Sequence, residues 1–309
     1  MRNAFAAAIT DLAATDERVV LLSGDIGNRL FDRYRERFPD RFYNCGVAEA
    51  NMTGMAAGLA LCGLRPFTYT ITPFATTRVI EQIRVDICYH DVPVVIVGTG
   101  SGLSYASLGP THHSCEDVGI LRCFPNLTVL CPADSAEVRP AIEAALGLPG
   151  PTYIRLGKKG EPTVHDTPPT FEVGKGIVMR EGCDVCLLGM GTLVSVALAA
   201  AKELESKGLS SRVVSMHTVK PLDEALLADA FGRFRAVAVV EEHSLIGGLG
   251  SAVAEWRARR DGPHPPLVAC GTPDAFISAA GSQEWMREQC GLTASAVAAK
   301  ILARLGRSS

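Results

Sequence analysis

The sequence predicts an α/β protein made of two doubly wound, three-layer α/β/α domains. Short apolar runs alternate with segments of helical periodicity, and this alternation occurs twice along the 309 residues. A stretch rich in Pro, Lys and Glu separates the two series. Strands that alternate with helices favour a parallel sheet covered by helices on both faces. A chain of this length also has room for two ordinary domains.

The first series covers residues 1–160 and predicts one domain. Glu49 opens a helix that follows a short strand near residue 42. Because ligands bind at the carboxyl ends of strands in such sheets, residues that directly follow a strand are the first candidates for a site. The remaining strands are predicted at 19–27, 65–74, 92–100, 127–134 and 151–157, and the remaining helices at 3–14, 75–90 and 135–147.

The second series covers residues 172–309 and predicts a smaller domain of the same class. The segment 161–171 lies in the Pro-, Lys- and Glu-rich stretch KKGEPTVHDTPPT and is predicted to be a linker. Strands are predicted at 184–191, 210–218, 236–243 and 266–271, and helices at 194–208, 221–234, 248–260 and 293–305.

Charge and hydropathy exclude several classes of function. The formal net charge is −3 and no Lys/Arg cluster is present, which argues against binding to nucleic acid or to anionic membranes. The N-terminal segment has the pattern of an amphipathic helix interrupted by Asp11, unlike a signal peptide, and no apolar run has the length of a membrane span. We therefore expect a cytoplasmic protein.

Cysteine spacing and glycine motifs narrow the chemistry further. Cys183 and Cys186 form a C-x-x-C pair, but no second pair stands at zinc spacing. The P-loop, the G-x-G-x-x-G fingerprint and the G-x-S-x-G elbow do not occur. We predict that this chain supplies no metal ligands.

Glu49 stands at the start of the stretch NCGVAEANMTGMAAGLALCG, residues 44–63. Small and apolar residues occupy both faces of this segment, so the helix is expected to be packed on all sides. One interpretation is a helix N-terminus, where an acidic side chain suits the dipole. The other is a buried carboxylic acid that exchanges a proton with a cofactor, since burial without a partner is costly.

Two further clusters are candidate site residues. Asp25 follows the strand-like run VVLLSG, where it is either a site residue or an ordinary turn aspartate. The segment SLGPTHHSCED, residues 107–117, carries His112 and His113 behind a Gly-Pro-Thr turn. These histidines suit proton transfer in a cleft, and the same segment also suits the start of a helix.

Seven motifs stand in order between residue 46 and residue 255. They are GVAEANM, TPFATTRVIEQIR, LGPTHHSCEDVGILR, PADSAEV, YIRLGK, SMHTVKPLD and VVEEHSLIGGLGSAVAE. Their order resembles the C-terminal half of transketolase, and most closely the separate C-terminal subunit of split transketolases. The resemblance is weaker to 1-deoxyxylulose-5-phosphate synthase and to the β subunit of pyruvate-dehydrogenase-type E1 enzymes.

This resemblance implies a thiamine-diphosphate enzyme whose active site lies between two chains. Residues 1–160 are similar to the pyrimidine-binding domain and residues 172–309 to the C-terminal domain of the family. The Gly-Asp-Gly motif of the diphosphate domain is missing, since only GDI occurs at 24–26. A partner N-terminal subunit is therefore expected to hold the diphosphate and a Mg²⁺ or Ca²⁺ ion, in an α2β2 heterotetramer.

The resemblance also implies roles for individual residues. It gives catalytic roles to Glu49, which would bond the aminopyrimidine ring nitrogen, and to His112, which would face the substrate. The cofactor would also contact Asp25, Ile26 and Phe74, the last by stacking on the pyrimidine. Phosphate of a sugar substrate would be bound by Arg155 and Arg29. Taken alone, each of these residues also suits a structural position.

Two positions depart from the transketolase pattern. Leu108 stands where the family has an aspartate that contacts acceptor hydroxyls, and Gly100 stands near the position of a histidine that contributes to phosphate binding. The expected activity is transfer of a two-carbon ketol group from a ketose phosphate to an acceptor. Acyl or glycolyl transfer to a lipoyl or carrier-protein thiol is the alternative reaction. A non-catalytic subunit that has kept the fold is the alternative class.

Overall fold

The structure is a computed structural model, which describes residues 1–26 and 29–307. The end of the predicted 19–27 segment and the last two residues of the predicted second domain lie outside the described residues.

Twelve strands were assigned within the described residues, six of them before the predicted linker. They are β1 (Val19–Ser23), β2 (Phe42–Asn44), β3 (Arg65–Ile71), β4 (Val95–Thr99), β5 (Thr128–Leu130), β6 (Thr152–Leu156), β7 (Ile177–Arg180), β8 (Val185–Gly189), β9 (Ser211–Ser215), β10 (Thr218–Lys220), β11 (Ala236–Ser244) and β12 (Leu267–Thr272). β7 and β10 were not predicted as separate strands.

The helices alternate with these strands. They are α1 (Arg2–Ala13), α2 (Asp32–Arg37), α3 (Glu49–Leu61), α4 (Thr72–Ala75), α5 (Ile80–Gln82), α6 (Asp117–Leu121), α7 (Ser135–Gly147), α8 (Val194–Ser206), α9 (Glu224–Arg233), α10 (Leu249–Ala258), α11 (Gln283–Gln289) and α12 (Ala294–Arg304). None of the described helices is long and apolar enough to cross a membrane.

The strands form two sheets, which confirms the predicted α/β class. The first sheet has the order β10-β5-β6-β4-β3-β1-β2 and is parallel except for β10. The second sheet has the order β12-β11-β8-β9-β7 and is parallel except for β7. Central strands β1, β4, β6 and β8 are buried along their whole length, as expected for strands covered on both faces.

One of the apolar core clusters spans both parts of the chain. One cluster of buried side chains runs from Val20 and Ile83 in the first part to Val239 and Trp256 in the second. β10, which lies after the linker in sequence, pairs with β5 and completes the first sheet. The predicted domain boundary at 161–171 stays a prediction. The strand β10 follows this segment in sequence, yet it belongs to the first sheet.

The segment predicted as one helix over 75–90 is broken into short pieces. It contains a 3₁₀ turn at Thr77–Val79, then α5, then a π-helical segment at Ile83–Tyr89. The hydroxyls of Thr76 and Thr77 donate hydrogen bonds to carbonyls four residues earlier, at 2.7 Å and 2.8 Å. Such bonds compete with the backbone ladder and bend helices, which explains the break.

Candidate active site

The candidate site lies where the strand order of the first sheet reverses. β1 stands between β2 and β3, so the chain leaves β1 on one side and returns on the other. Loops that diverge in this way leave a crevice at the carboxyl edge of the sheet. Glu49 begins α3, which follows β2, and Phe74 lies in α4, directly after β3. The structure thus places these two residues at this edge.

Glu49 is buried beside the end of β1. Its side chain is 3% exposed, and its Oε2 atom accepts a hydrogen bond of 3.0 Å from Nη1 of Arg78. A Cβ atom at Gly24 would lie 3.1 Å from Thr70 Oγ1 and 3.6 Å from Glu49 Cγ. Glycine at position 24 therefore lets the backbone after β1 pack closely against Thr70 and Glu49.

Phe74 is the centre of a group of planar side chains. The guanidinium carbon of Arg78 lies 3.9 Å from the centroid of the Phe74 ring. The His112 ring is 5.3 Å from Phe74 at an interplanar angle of 68°, and 6.0 Å from Tyr105. The amine of Lys158 lies 4.1 Å from the Tyr105 ring centroid. Glu49, Phe74 and His112 are therefore connected through side chains in contact.

His112 is held by the turn that precedes it. Its backbone N–H donates to the carbonyl of Gly109, which has a φ of 75°, and its Nδ1 lies 2.9 Å from Thr111 Oγ1. Nε2 is thus the ring nitrogen available to a substrate. The neighbouring His113 is buried, and burial lowers the pKa of that imidazole. His112 is therefore the better placed of the two for proton transfer in the crevice.

The space at Gly100 is filled by Tyr105. A Cβ atom at position 100 would lie 2.0 Å from Cε2 of Tyr105, and the φ of Gly100 is 73°. The histidine that resembling proteins carry near this position could not be accommodated without moving the tyrosine. Tyr105 thus takes up the space that a side chain at position 100 would need.

Asp25, Ile26 and Arg29 line a separate cavity of about 340 Å³ at the same edge of the sheet. Asp25 has a φ of 56°, and its Oδ1 accepts a hydrogen bond of 2.8 Å from Asn44 Nδ2. Ser23 Oγ donates to the Ile26 carbonyl. A non-glycine residue in the left-handed region is uncommon and often marks a functional loop. Their expected roles in cofactor and phosphate binding stay predictions.

Arg155 does not face the crevice, which disagrees with the phosphate role implied by resemblance. It lies inside β6, is 4% exposed, and pairs with Asp117 at 2.8 Å. Tyr153 is two residues away on the same face of the strand and donates to the same carboxylate at 2.6 Å. Arg155 Nη2 also donates to the carbonyls of Ser114 and Glu242. The guanidinium is engaged inside the protein, so a phosphate-binding role has no support here.

Burial and pairing set the charge states of Asp117 and Arg155. Burial raises the pKa of Asp117, but the contacts with Arg155 and Tyr153 outweigh it and hold that pKa below its ordinary value. Burial would lower the pKa of Arg155, and Asp117 holds it above its usual range. Both groups are therefore charged and paired, as buried ions require.

Three site residues were missed by the sequence interpretation, namely Arg78, Tyr105 and Lys158. Arg78 stands four residues after Phe74, but α4 ends at Ala75 and Arg78 lies in the 3₁₀ turn Thr77–Val79, so regular helical spacing does not account for their contact. Lys158 follows β6 and therefore lies at the carboxyl edge, whereas Arg155 lies within the strand. The rule that sites lie after strands would have favoured the lysine.

The residues present fit an aromatic, hydrogen-bonding cofactor. Thr70 Oγ1 is buried without a hydrogen-bond partner in the described structure, and it lies close to Gly24, which also neighbours Glu49. A ring with polar edges would find a carboxylate, a hydroxyl and the Phe74 face among these residues. Among residues 1–26 and 29–307, no group of three or more His, Cys, Asp or Glu side chains is arranged to hold a metal ion.

An α/β protein with a buried carboxylate beside an aromatic ring has the features of a cofactor-binding subunit. Comparison with known proteins identifies the family. Residues 1–162 match the pyrimidine binding domain of transketolase, and residues 174–297 match the transketolase C-terminal domain. The chain belongs to the transketolase family and corresponds to the C-terminal subunit of a split transketolase.

Similar proteins agree with this assignment. The chain is 38% identical to the 6-deoxy-6-sulfo-D-fructose transketolase subunit SqwH of Clostridium sp. (strain MSTE9), over 95% of this chain and 91% of that protein. It is 38% identical to one subunit of the apulose-4-phosphate transketolase of Actinobacillus succinogenes, over 85% of this chain and 84% of that subunit. A solved split-gene transketolase, described as an inactive beta4 tetramer, superposes with a TM-score of 0.89 at 38% identity, over 100% of this chain and 98% of that one.

Proposed function

We propose that the chain is one subunit of a thiamine-diphosphate-dependent enzyme that transfers a two-carbon ketol group from a ketose to an acceptor. The observation that carries this proposal is the buried Glu49 carboxylate, which Arg78 links to the face of Phe74. A partner chain with the diphosphate-binding domain would complete the site and hold the Mg²⁺ or Ca²⁺ ion. We expect the two chains to form an α2β2 heterotetramer.

Each residue of the site has a defined part in this reaction. Bound thiamine diphosphate supplies the electron sink for breaking and forming a carbon–carbon bond. Glu49 would hold the ring through a proton shared between its carboxylate and a ring nitrogen. Phe74 would orient the ring by stacking. His112 Nε2 takes up or returns the proton of a substrate hydroxyl.

The substrate is expected to carry an anionic group. The two curated relatives are named for a sulfonated and a phosphorylated sugar. Lys158 is the cation at the carboxyl edge of β6, beside Tyr105 and within the group of planar side chains that includes His112. A flexible ammonium group suits a tetrahedral anion as a point charge. We therefore assign the anion-binding role to Lys158 in place of Arg155, together with Arg29 in the neighbouring cavity.

Acyl or glycolyl transfer to a lipoyl or carrier-protein thiol is the second candidate. The observation in its favour is Leu108, which is 51% exposed and stands four residues before His112. An apolar side chain there contacts a hydroxylated sugar less well than it contacts the arm of a carrier thiol.

The experiment compares the purified chain with its mixture with the diphosphate-binding subunit. Both samples receive thiamine diphosphate, Mg²⁺ and a panel of phosphorylated and sulfonated ketoses, with aldehydes and a lipoyl domain as acceptors. We expect turnover only in the mixture, and a two-plus-two assembly by light scattering. Turnover by the chain alone would contradict the shared site, and a mixture that neither binds the cofactor nor turns over would contradict the function.

A further inference from the structure

Arg78 lies across the two residues that define the cofactor end of the site. Its Nη1 is 3.0 Å from Glu49 Oε2, and its guanidinium carbon is 3.9 Å from the Phe74 ring centroid. A guanidinium is planar and carries N–H groups along its edges. It therefore stacks on the aromatic face and donates to the buried carboxylate at the same time.

An aminopyrimidine ring in the proposed site needs the same two contacts. It would lie flat on Phe74, and its ring nitrogen would share a proton with Glu49. The face of one phenyl ring accommodates one planar group at contact distance. The arginine and the ring therefore compete for this face of Phe74 and for Glu49.

We propose that Arg78 is an internal substitute for the aminopyrimidine, which occupies the Glu49–Phe74 site in the cofactor-free chain and must leave when the cofactor binds. This inference rests on the proposed function. It makes Arg78 a residue that sets cofactor affinity, because the free energy of its contacts is lost when the cofactor enters.

The surroundings of Arg78 suit a displaceable group. Its side chain is 44% exposed, whereas that of Glu49 is 3% exposed. It stands in the short 3₁₀ turn Thr77–Val79, within the broken part of the helical segment. A buried carboxylate without a partner is strongly destabilising, which explains why the cofactor-free chain supplies one. The partner can swing into solvent once another donor takes its place.

Arg78→Ala in the full chain tests the proposal by calorimetric binding of thiamine and thiamine diphosphate. We expect about tenfold tighter binding than in wild type, the change expected when one exposed charge-assisted contact no longer has to be broken. Arg84→Ala is the matched control, because Arg84 is an exposed arginine of the same segment that pairs with Glu81. Arg78→Gln keeps most of the side chain and replaces the alanine variant if that variant does not fold.

A second measurement examines the site without thiamine. Low-millimolar guanidinium chloride should raise the melting temperature of Arg78→Ala relative to equal sodium chloride, and should not do so for wild type or Arg84→Ala. Unchanged or weaker thiamine binding in a folded Arg78 variant overturns the proposal. Rescue by guanidinium, with no thiamine binding to any variant or to the wild-type chain mixed with its partner, overturns the proposed cofactor and the inference with it.

Discussion

At the residue scale, the position of Glu49 separates the two interpretations of its sequence. Glu49 is the first residue of α3, and the preceding Ala48 provides no side-chain cap. A carboxylate at a helix start is ordinarily solvated, but this one is buried and pairs with Arg78. The helix dipole explains an acid at this position, but it does not explain why that acid is buried.

Glu49→Gln should abolish most turnover and leave the fold intact. An amide still accepts a hydrogen bond from Arg78, but it cannot hold the exchangeable proton. We expect stability to change by a few tenths to about 1 kcal/mol. The measurement is kcat of the two-subunit enzyme together with the melting temperature. Glu81→Gln is the control, since Glu81 is an exposed acid in the first turn of α5. Unchanged kcat in Glu49→Gln would support the purely structural interpretation.

Leu108→Asp should shift acceptor preference toward hydroxylated sugars. Leucine cannot bond a sugar hydroxyl, and an unpaired polar group costs about 1–3 kcal/mol, or roughly tenfold to over a hundredfold in rate. The assay is kcat/KM for ribose 5-phosphate against a deoxy or non-hydroxylated aldehyde, in wild type and in the variant. If wild type already prefers ribose 5-phosphate and the variant does not improve it, then position 108 does not select the acceptor.

At the element scale, the strand ends were predictable and the side-chain directions were not. Gly24, Phe74 and His112 follow β1, β3 and β4, and the rule for parallel sheets places them at one edge. Arg155 lies inside β6, where the two-residue period of the strand decides which face it points to. A single sequence does not show which face of β6 packs against α6 and Asp117.

Local sequence patterns also could not predict which elements pair when they are distant in the chain. β10 is three residues long and joins β5 from across the linker, so its place depends on how the second part packs on the first.

The predicted linker is held against the first part of the chain by hydrogen bonds. The N–H groups of Val164 and His165 donate to Asp134 Oδ2 at 2.7 Å and 3.0 Å. Composition indicated a linker, but it could not indicate that an aspartate would bind it.

Asp134→Asn should remove a contribution to the free energy of unfolding that wild type loses at low pH. Burial raises the pKa of Asp134, but the nearby His165 side chain and hydrogen bonds from backbone N–H groups, including the one that caps α7, outweigh it and lower that pKa to about 2. A depressed carboxyl pKa stabilises the fold above the unfolded value of about 3.9, and this contribution disappears as the pH falls toward 2. It amounts to about 2 kcal/mol.

The measurement for Asp134→Asn is unfolding free energy from urea titrations between about pH 7 and pH 2. Wild type should lose more stability than the variant as the pH falls from about 4 to about 2, and the variant should be less stable near neutrality. Parallel curves for the two proteins would show that Asp134 does not carry this pH dependence.

At the scale of the whole molecule, the two parts of the chain are joined by buried polar contacts as well as by the shared apolar cluster. Arg155 donates to the Glu242 carbonyl at 3.0 Å, and the Glu242 carboxylate accepts from the N–H of Leu103 and pairs with Arg287. The N–H of Gly119 donates to Nε2 of the buried His243 at 3.1 Å. Buried, hydrogen-bonded ions fix one arrangement of neighbouring elements, because any other leaves a charge unpaired.

Arg155 and Lys158 therefore give opposite predictions, although only three positions separate them. Arg155→Met leaves Asp117 buried without its partner, so the free energy of unfolding should fall by about 3–5 kcal/mol. Lys158→Met removes a half-buried ammonium group at the carboxyl edge. It should leave the melting temperature nearly unchanged and raise KM for phosphorylated or sulfonated ketoses roughly tenfold to a hundredfold, as expected for the loss of a hydrogen bond to a charged group.

The two variants are compared in the two-subunit enzyme by thermal unfolding and by kcat and KM with an anionic and a neutral ketose. Lys158→Met should have its effect on the anionic ketose and leave KM for the neutral one almost unchanged. A higher KM in a fully stable Arg155→Met, together with an unaffected Lys158→Met, would restore the phosphate role to the arginine. That result would require the β6 side chains to point to the crevice, contrary to the Asp117–Arg155 pair at 2.8 Å.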